Sequence, residues 1–267
     1  MPMTTSADGT AIHYLVEGSG EVPLILLHGL GDGVECWAPQ VEAFRDRCRI
    51  LMVDVRGHGR SDKQAPDYSI ESMAADVRAA AAAADFDHAH VVGLSMGGGV
   101  AFALALATPD LVDSLVIVNS GPTAKVGGWK GKAIIGVRKL LARWMSPSKA
   151  APMVAKRLFP DPDQVELRAE AVRRLGDNDP AAYRQSLFAL ARFDRELESR
   201  TLDVPTLFVH SEHDYTPLAW RQPYVDAMPN ARLVQVDGAH HAVTAERPDA
   251  FNQILADHLA KVASTAA

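Results

Sequence analysis

Residues 91–99 have the sequence VVGLSMGGG, which contains a Gly-x-Ser-x-Gly motif centred on Ser95. An apolar run at 89–92 precedes the motif, and a long apolar stretch of helical character follows it. A strand, a sharp turn and a helix form the context in which this motif presents a nucleophilic serine. Side chains two residues before and after such a serine would be crowded, so Gly93 and Gly97 are expected there for steric reasons. Because short motifs also occur by chance, the rest of the chain has to support this interpretation.

Length and composition fit one large α/β domain. The chain has 267 residues, which leaves room for a small inserted subdomain beside one main core. Its hydrophobic content of 48% and charged content of 22% are ordinary for a globular protein with a full core. The formal net charge of −6 argues against nucleic acid or an anionic membrane surface as a partner.

The remaining compositional signals predict a cytoplasmic protein without a metal or an organic cofactor. Residues 1–6 contain neither a basic region nor an apolar core, so we expect no signal peptide. No apolar run approaches the ~20 residues that span a bilayer. Cys36 and Cys48 form neither a metal-ligand spacing nor a disulfide framework, so both are expected to be reduced.

Strand-like and helix-like segments alternate along most of the chain. The strand-like segments lie at 11–17, 23–27, 49–55, 89–92, 114–118, 204–210 and 231–236. The helix-like segments lie at 37–44, 69–84, 100–107 and 248–262. Most of the strand-like segments are continuously apolar, which is typical of strands buried on both faces of a parallel sheet. The pattern predicts an α/β fold with a mostly parallel sheet of about eight strands flanked by helices.

The alternation is interrupted between residues 123 and 200, where no strand-like run occurs. Four amphipathic helical patterns, separated by Pro, Gly and Asp, occupy 132–145, 148–158, 163–175 and 180–193. We interpret 123–200 as a helical cap inserted after the sixth strand. Residues 1–122 and 201–267 then form the core domain.

Acidic residues and histidines follow the last two strand-like segments. A serine hydroxyl is a poor nucleophile unless a base takes its proton, and that base needs an orienting carboxylate. Glu212 and Asp214 follow the strand-like segment that starts at 204, and His240 and His241 follow the next one. The order serine, acid, histidine is one in which catalytic triads are built. The residue types alone leave open which acid and which histidine would serve.

Four motifs together resemble the α/β-hydrolase superfamily, in its group of small capped esterases, lactonases, carbon–carbon bond hydrolases and cofactor-free haloperoxidases. They are His28-Gly29 before a glycine-rich loop, GHGRSD at 57–62, GLSMGG at 93–98, and the late acid and histidine loops. These motifs span nearly the whole chain apart from the cap. The resemblance implies the α/β-hydrolase fold and hydrolytic chemistry, and it says little about the substrate.

The resemblance favours Asp214 as the acid and His241 as the base, together with Ser95. In the family an Asp stands two residues before a Thr or Val that is followed by Pro, and the sequence DYTP at 214–217 matches this pattern. The family's histidine is followed by Glu five residues later, as His241 is here. The second glycine of the family's Gly-x-Gly-His is replaced by His240, whose role the sequence leaves open.

The resemblance also implies an oxyanion hole made of backbone N–H groups. One N–H would come from Met96, the residue after the nucleophile. The other would come from Leu30, the residue after His28-Gly29. His28 itself is expected to brace this loop structurally.

Large aromatic residues predict an apolar substrate pocket between the cap and the sheet. The candidates are Trp37, Trp129, Trp144 and Phe188, with Phe159 and Phe193 among further cap residues that could line it. More than half of the large cap residues are expected instead to pack the cap helices together, because large apolar side chains are usually core.

The combined features predict a serine hydrolase that cleaves a carboxylic ester through an acyl-enzyme. The substrate would be a small-molecule ester or lactone, small or medium in size and largely apolar. A lactonase or enol-lactonase, a carbon–carbon bond hydrolase and a cofactor-free perhydrolase share the same triad and stay as alternatives. A ligand-binding protein of this fold is the non-enzymatic alternative. The oligomeric state is left open between a monomer and a homodimer.

Overall fold

A computed structural model describes residues 2–124, 136 and 145–266. Eight strands form one sheet in the order β1-β2-β4-β3-β5-β6-β7-β8. The strands are β1 (Met3–Thr5), β2 (Ala11–Glu17), β3 (Val22–Leu27), β4 (Cys48–Val53), β5 (Ala89–Leu94), β6 (Val112–Val118), β7 (Thr206–Ser211) and β8 (Ala231–Val236). Strand β1 pairs antiparallel with β2, and β2 pairs antiparallel with β4. Every later pairing is parallel, which confirms the predicted mostly parallel sheet.

Helices connect the strands and cover the sheet. The α-helices of the described residues are α1 (Ala38–Phe44), α2 (Ile70–Ala83), α3 (Met96–Ala107), α4 (Pro147–Leu158), α5 (Val165–Gly176), α6 (Pro180–Arg192), α7 (Glu196–Ser199), α8 (Gln222–Ala227), α9 (Val243–Glu246) and α10 (Pro248–Ala266). Short 3₁₀ helices lie at Val34–Trp37, Pro109–Leu111 and Leu218–Trp220. None of the helices within these described ranges is both long and apolar enough to cross a membrane.

The two faces of the central strand β3 contribute to two separate layers of the core. Leu24 and Leu26 pack with residues of α1 and α10 on one face. Ile25 and Leu27 pack with residues of α2 and α3 on the other. Successive side chains of a strand point to opposite faces, so a continuously apolar strand such as β3 has to be covered on both sides.

Helices α4 to α7 lie between β6 and β7 in the chain, where the sequence predicts a cap. The predicted helices at 148–158, 163–175 and 180–193 correspond closely to α4, α5 and α6. The predicted helix at 132–145 lies almost entirely outside the described residues. Helices α4 and α5 share a small core of their own, made of Ala151, Ala155, Phe159, Ala171 and Leu175. The division into a core domain and a cap at 123–200 stays a prediction.

Side-chain hydrogen bonds cap the N-terminal ends of helices α2 and α6. Ser69 accepts a hydrogen bond from the Ser72 backbone N–H (3.0 Å), and the Ser72 hydroxyl oxygen accepts one from the Ser69 N–H (3.0 Å), which forms a capping box before α2. Asp179 accepts from the backbone N–H groups of Ala181 and Ala182 at the start of α6. These bonds fix where each helix starts, and therefore which of its faces is turned inward.

The turn between β5 and α3 is the most constrained point of the backbone. Ser95 has φ 54° and ψ −112°, a conformation that a residue with a side chain rarely adopts. A Cβ atom on Gly93 would lie less than 3.0 Å from the backbone of Gly97, and one on Gly97 would lie less than 3.0 Å from the Leu27 carbonyl oxygen. The two glycines are therefore required by the close approach of β5, α3 and β3.

Replacing Gly97 with Ala is expected to lower the free energy of unfolding by about 3 kcal/mol or more, because backbone atoms cannot rotate away as side chains can. For a chain of this size that loss corresponds to a fall in melting temperature of at least about 6 °C. The matched control is Gly176→Ala, whose added Cβ would meet only Ser148 Cα at 3.8 Å. Thermal unfolding followed by circular dichroism would contradict the account if both variants melted like the wild type.

Candidate active site

The carboxyl ends of three parallel strands bring Ser95, Asp214 and His241 together. Ser95 directly follows β5, Asp214 lies in the loop after β7, and His241 lies in the loop after β8. All three line one cavity, and His241 Nδ1 is hydrogen-bonded to Asp214 Oδ1. The structure thus juxtaposes the three residues that the sequence predicts as a triad.

Asp214 is a buried carboxylate with several donors. Its side chain is 1% exposed, and its Oδ2 accepts from the Thr216 N–H (3.2 Å) and hydroxyl (2.6 Å) and from Arg221 Nη2 (3.4 Å). Burial alone would raise the pKa of Asp214, but the charge and hydrogen bond of His241, with the Thr216 bond and the Arg221 charge, hold it below its usual range. Asp214 therefore stays ionised.

The ionised state of Asp214 fixes the tautomer of His241. An ionised carboxylate can only accept hydrogen bonds, so the proton between the two groups belongs to His241 Nδ1. In the neutral imidazole the other nitrogen, Nε2, then carries a lone pair. This is the state in which a histidine can take a proton from a serine hydroxyl.

Glu212, the other candidate acid, lies on the surface. Its Oε2 accepts a hydrogen bond from the Gly238 N–H at 2.8 Å, a contact between the loops after β7 and β8. Glu212 is thus a carboxylate that links two loops, as an exposed position in a turn would suggest, while Asp214 holds the histidine.

His240 is bound to a different carboxylate from that of His241. Its Nδ1 lies 2.7 Å from Glu246 Oε1, and its backbone N–H donates to Glu246 Oε2 at 2.5 Å. The Glu246 side chain is fully buried and also accepts from Gln164 Nε2, just before α5, at 3.0 Å. His240 therefore belongs to a contact between the loop after β8 and the segment between α4 and α5.

A stack of two side chains covers the ring of His241. The Tyr215 ring lies 4.2 Å from the His241 ring, nearly parallel at 21°. The guanidinium carbon of Arg157, on α4, lies 4.5 Å from the centre of the Tyr215 ring, a distance typical of a cation–π contact. The stack connects α4 to the candidate base. No sequence motif predicts this stack of Tyr215 and Arg157.

Asn119 is a further residue that sequence reasoning misses. It follows β6 with φ 48° and is buried. Its Nδ2 donates to Ser211 Oγ (2.8 Å) and to the His241 carbonyl oxygen (2.9 Å), and its Oδ1 accepts from the Ser211 N–H (2.8 Å). Asn119 thus fixes the loop that carries His241 to the end of β7. A polar residue at the end of a buried strand is the only signal for it in the sequence.

The loop that contains Leu30 is braced from below by His28. The Val55 N–H donates to His28 Nε2 at 3.2 Å, so the proton is on Nδ1, which donates to the Gly29 carbonyl oxygen at 2.8 Å. Both predicted oxyanion donors lie close to Ser95. Leu30 lines a cavity at Ser95, and Met96 is the first residue of α3, where an N–H has no partner within the helix.

Two cavities meet at Ser95 and His241. Cavity A, of about 130 Å³, has apolar walls made by Leu187, Leu190, Ala191, Phe193 and Trp220. Cavity B, of about 80 Å³, has walls made by Leu30, Leu158, Phe159, Leu175 and Tyr183. Two cavities on either side of a nucleophile can hold two parts of one substrate. Among the described residues, no cluster of three His, Cys, Asp or Glu side chains could hold a metal ion.

The predicted pocket residues occupy different places. The expectation for Trp37 is wrong, because its side chain is fully buried in the core layer under β3 and lines neither cavity. Phe188 is half-buried and also lines neither. One helical turn places residues 187, 190 and 191 on the face of α6 toward cavity A and turns 188 away from it. Trp129 and Trp144 lie outside the described residues.

Comparison with known proteins identifies the family. The family profile described as alpha/beta hydrolase fold matches residues 22–248. The chain is 31% identical over 265 residues to the "Putative carbamate hydrolase RutD" of Azorhizobium caulinodans, covering 96% of this chain and 97% of that protein. It is 28% identical to "3-oxoadipate enol-lactonase 2" of Acinetobacter baylyi, covering 93% of each chain. The crystal structure of the enol-lactonase from Burkholderia xenovorans LB400 superposes with a TM-score of 0.87 at 29% identity, covering 97% of this chain and 100% of that one. The chain therefore belongs to the α/β-hydrolase family, and it is a hydrolase.

Proposed function

We propose that this hydrolase cleaves a carboxylic ester of small or medium size through Ser95, His241 and Asp214, with an acyl-enzyme intermediate. The observation that carries the proposal is the bond from His241 Nδ1 to the buried, ionised Asp214 at the cavity that Ser95 also lines. A base oriented in this way beside a serine is the arrangement that activates a hydroxyl for acyl transfer.

The chemistry would proceed in two steps. His241 Nε2 takes the proton of Ser95 Oγ as this oxygen attacks the ester carbonyl, and the N–H groups of Leu30 and Met96 stabilise the negative oxygen. The same proton then passes from His241 to the departing alcohol. Water enters, gives a proton to His241 and attacks the acyl-enzyme, and His241 then returns this proton to Ser95 Oγ as the acid is released.

A lactone is the second candidate substrate. The relative from Acinetobacter baylyi and the structure from Burkholderia xenovorans LB400 are both named as enol-lactonases. A lactone is a cyclic ester, so the same attack by Ser95 would open the ring and leave the alcohol attached to the acyl group. A carbamate, named for the relative from Azorhizobium caulinodans, has a carbonyl that the same nucleophile could attack.

Turnover of 4-nitrophenyl esters of increasing acyl length is expected to peak at one length, because the cavities at Ser95 have limited size. Ser95→Ala is expected to lower kcat by at least ~10⁴-fold on the best ester. Release of 4-nitrophenol measures both rates, and the circular dichroism spectrum of the variant controls for folding. A five-membered lactone and a 4-nitrophenyl carbamate in the same panel decide between the three carbonyl classes by kcat/KM.

Retention of the rate in Ser95→Ala would refute the assignment of the nucleophile. Turnover of none of these compounds by the folded wild type would favour a ligand-binding protein or a carbon–carbon bond substrate.

Two matched pairs of variants test the base and the acid. His241→Ala and Asp214→Asn are each expected to lower kcat by about 10⁴-fold or more, because the first removes the base and the second removes the acceptor that fixes its tautomer. Their controls, His240→Ala and Glu212→Gln, are expected to stay within about tenfold of the wild type. The opposite ranking within either pair, measured on the best ester of the panel, would show that the wrong residue has been assigned.

A further inference from the structure

A buried guanidinium lies at the inner surface of cavity A. Arg221, between the 3₁₀ helix Leu218–Trp220 and helix α8, is 7% exposed. It lines cavity A together with Ser95 and His241. Cavity A otherwise combines the apolar walls described above with polar side chains such as Ser120 and Thr123. A cation in such a place is costly unless it has partners, so its hydrogen bonds need to be accounted for.

Within the part of the chain that the structure describes, the side-chain hydrogen bonds of Arg221 use one of the three guanidinium nitrogens. Nη2 donates to Thr216 Oγ1 at 2.6 Å and to Asp214 Oδ2 at 3.4 Å. Nε is buried and has no acceptor among the described residues, and no hydrogen bond of Nη1 to this part of the chain is present. A guanidinium has five N–H donors, and buried donors are nearly always paired. Arg221 therefore has capacity for a further acceptor.

The Nη1 edge of Arg221 lies next to Gly121 and near the ring of Tyr224. A Cβ atom on Gly121, which also lines cavity A, would lie 3.6 Å from Nη1. Because residue 121 is glycine, no side chain at that position covers the guanidinium. The Tyr224 ring lies 3.2 Å from the same Cβ position, so an acceptor that reaches Arg221 from cavity A would pass beside this ring.

The other polar groups at this end of cavity A already have partners within the protein. Asn119 binds Ser211 and the His241 carbonyl. Ser120 Oγ donates to the Ser95 carbonyl oxygen at 2.6 Å, and Thr216 Oγ1 is held between Asp214 and Arg221. Arg221 is thus the residue best able to recognise a charged group in this cavity.

We propose that Arg221 binds a carboxylate of the substrate in cavity A, so that the natural substrate is an acidic ester or lactone. This inference rests on the proposed function, since it specifies the substrate of the same site. Arg221 binds Asp214 and Thr216 through Nη2, and its remaining donors suit a planar monoanion, with which a guanidinium forms paired hydrogen bonds. A phosphate group, which carries more charge, would need further donors.

Two pairs of esters, each a carboxylate and its neutral amide of nearly equal shape, test the proposal. The first pair has the charge on the acyl side, 4-nitrophenyl hydrogen glutarate against 4-nitrophenyl glutaramate. The second pair has it on the alcohol side, 4-carboxyphenyl butyrate against 4-carbamoylphenyl butyrate. The kcat/KM of each is measured for the wild type, Arg221→Gln and Arg221→Lys, with spontaneous hydrolysis subtracted. Arg200→Gln, which removes an exposed arginine paired with Glu196, is the control for loss of one positive charge.

In at least one pair the wild type is expected to prefer the carboxylate. Arg221→Gln is expected to lower kcat/KM for that carboxylate about 10- to 100-fold more than for its amide, mainly through KM. Arg221→Lys should restore part of the preference, and Arg200→Gln should keep the wild-type ratio. An equal loss for both members of each pair would mean that Arg221 only positions Asp214, and it would overturn the proposal.

Binding measurements separate a failure of this inference from a failure of the proposed function. Glutarate and glutaramide are titrated into Ser95→Ala and into Ser95→Ala/Arg221→Gln by calorimetry. Suppose that glutarate binds better than glutaramide, that this preference needs Arg221, and that the wild type hydrolyses no ester. This result would support the anion site and reject the esterase. Turnover of neutral esters with no preference for either carboxylate would support the esterase and overturn the anion site. If the Arg221 variants do not fold, equal inhibition of the wild type by glutarate and glutaramide would also overturn it.

Discussion

The positive φ of Ser95 is the constraint on which the rest of the site depends. This conformation costs about 1–3 kcal/mol and persists because β5, α3 and β3 approach closely around Gly93 and Gly97. A Cβ on Gly97 would also lie 2.8 Å from the His28 carbonyl oxygen, so the same contact sets the loop that follows β3. The strained turn therefore fixes both the serine and the backbone proposed to stabilise an oxyanion beside it.

The other half of the site depends on two buried polar networks between neighbouring loops. Asn119 ties the loop of His241 to the end of β7, and Asp214 gathers His241, Thr216 and Arg221 around one carboxylate. A buried carboxylate with three partners holds its geometry better than an exposed one, because no water competes for its lone pairs. Arg221 takes part in this network and also faces cavity A, so we assign it a share in both orientation and recognition.

The sequence predicts those features that backbone geometry or strand patterning imposes. Glycines flanking Ser95 and apolar runs such as 23–27 leave few alternatives, and the predicted parallel sheet is confirmed. The prediction that Trp37 lines the pocket is wrong because the sequence pattern of an aromatic residue after a loop is the same whether its side chain packs under the sheet or toward a cavity. Phe188 and Leu187 are neighbours on one helix, and an amphipathic pattern does not resolve which of two neighbouring side chains faces the cavity. Arg221 and Tyr215 could not be predicted, since their positions depend on how two irregular loops pack together.

The most direct test of the central claim is covalent labelling of Ser95. The wild type, Ser95→Ala and His241→Ala are incubated with a fluorophosphonate, and intact mass and peptide mapping locate the adduct. We expect one adduct on Ser95 in the wild type, none in Ser95→Ala, and labelling slowed by orders of magnitude in His241→Ala. An unlabelled wild type, or one whose adduct lies on another residue, would contradict the account of Ser95 as an activated nucleophile.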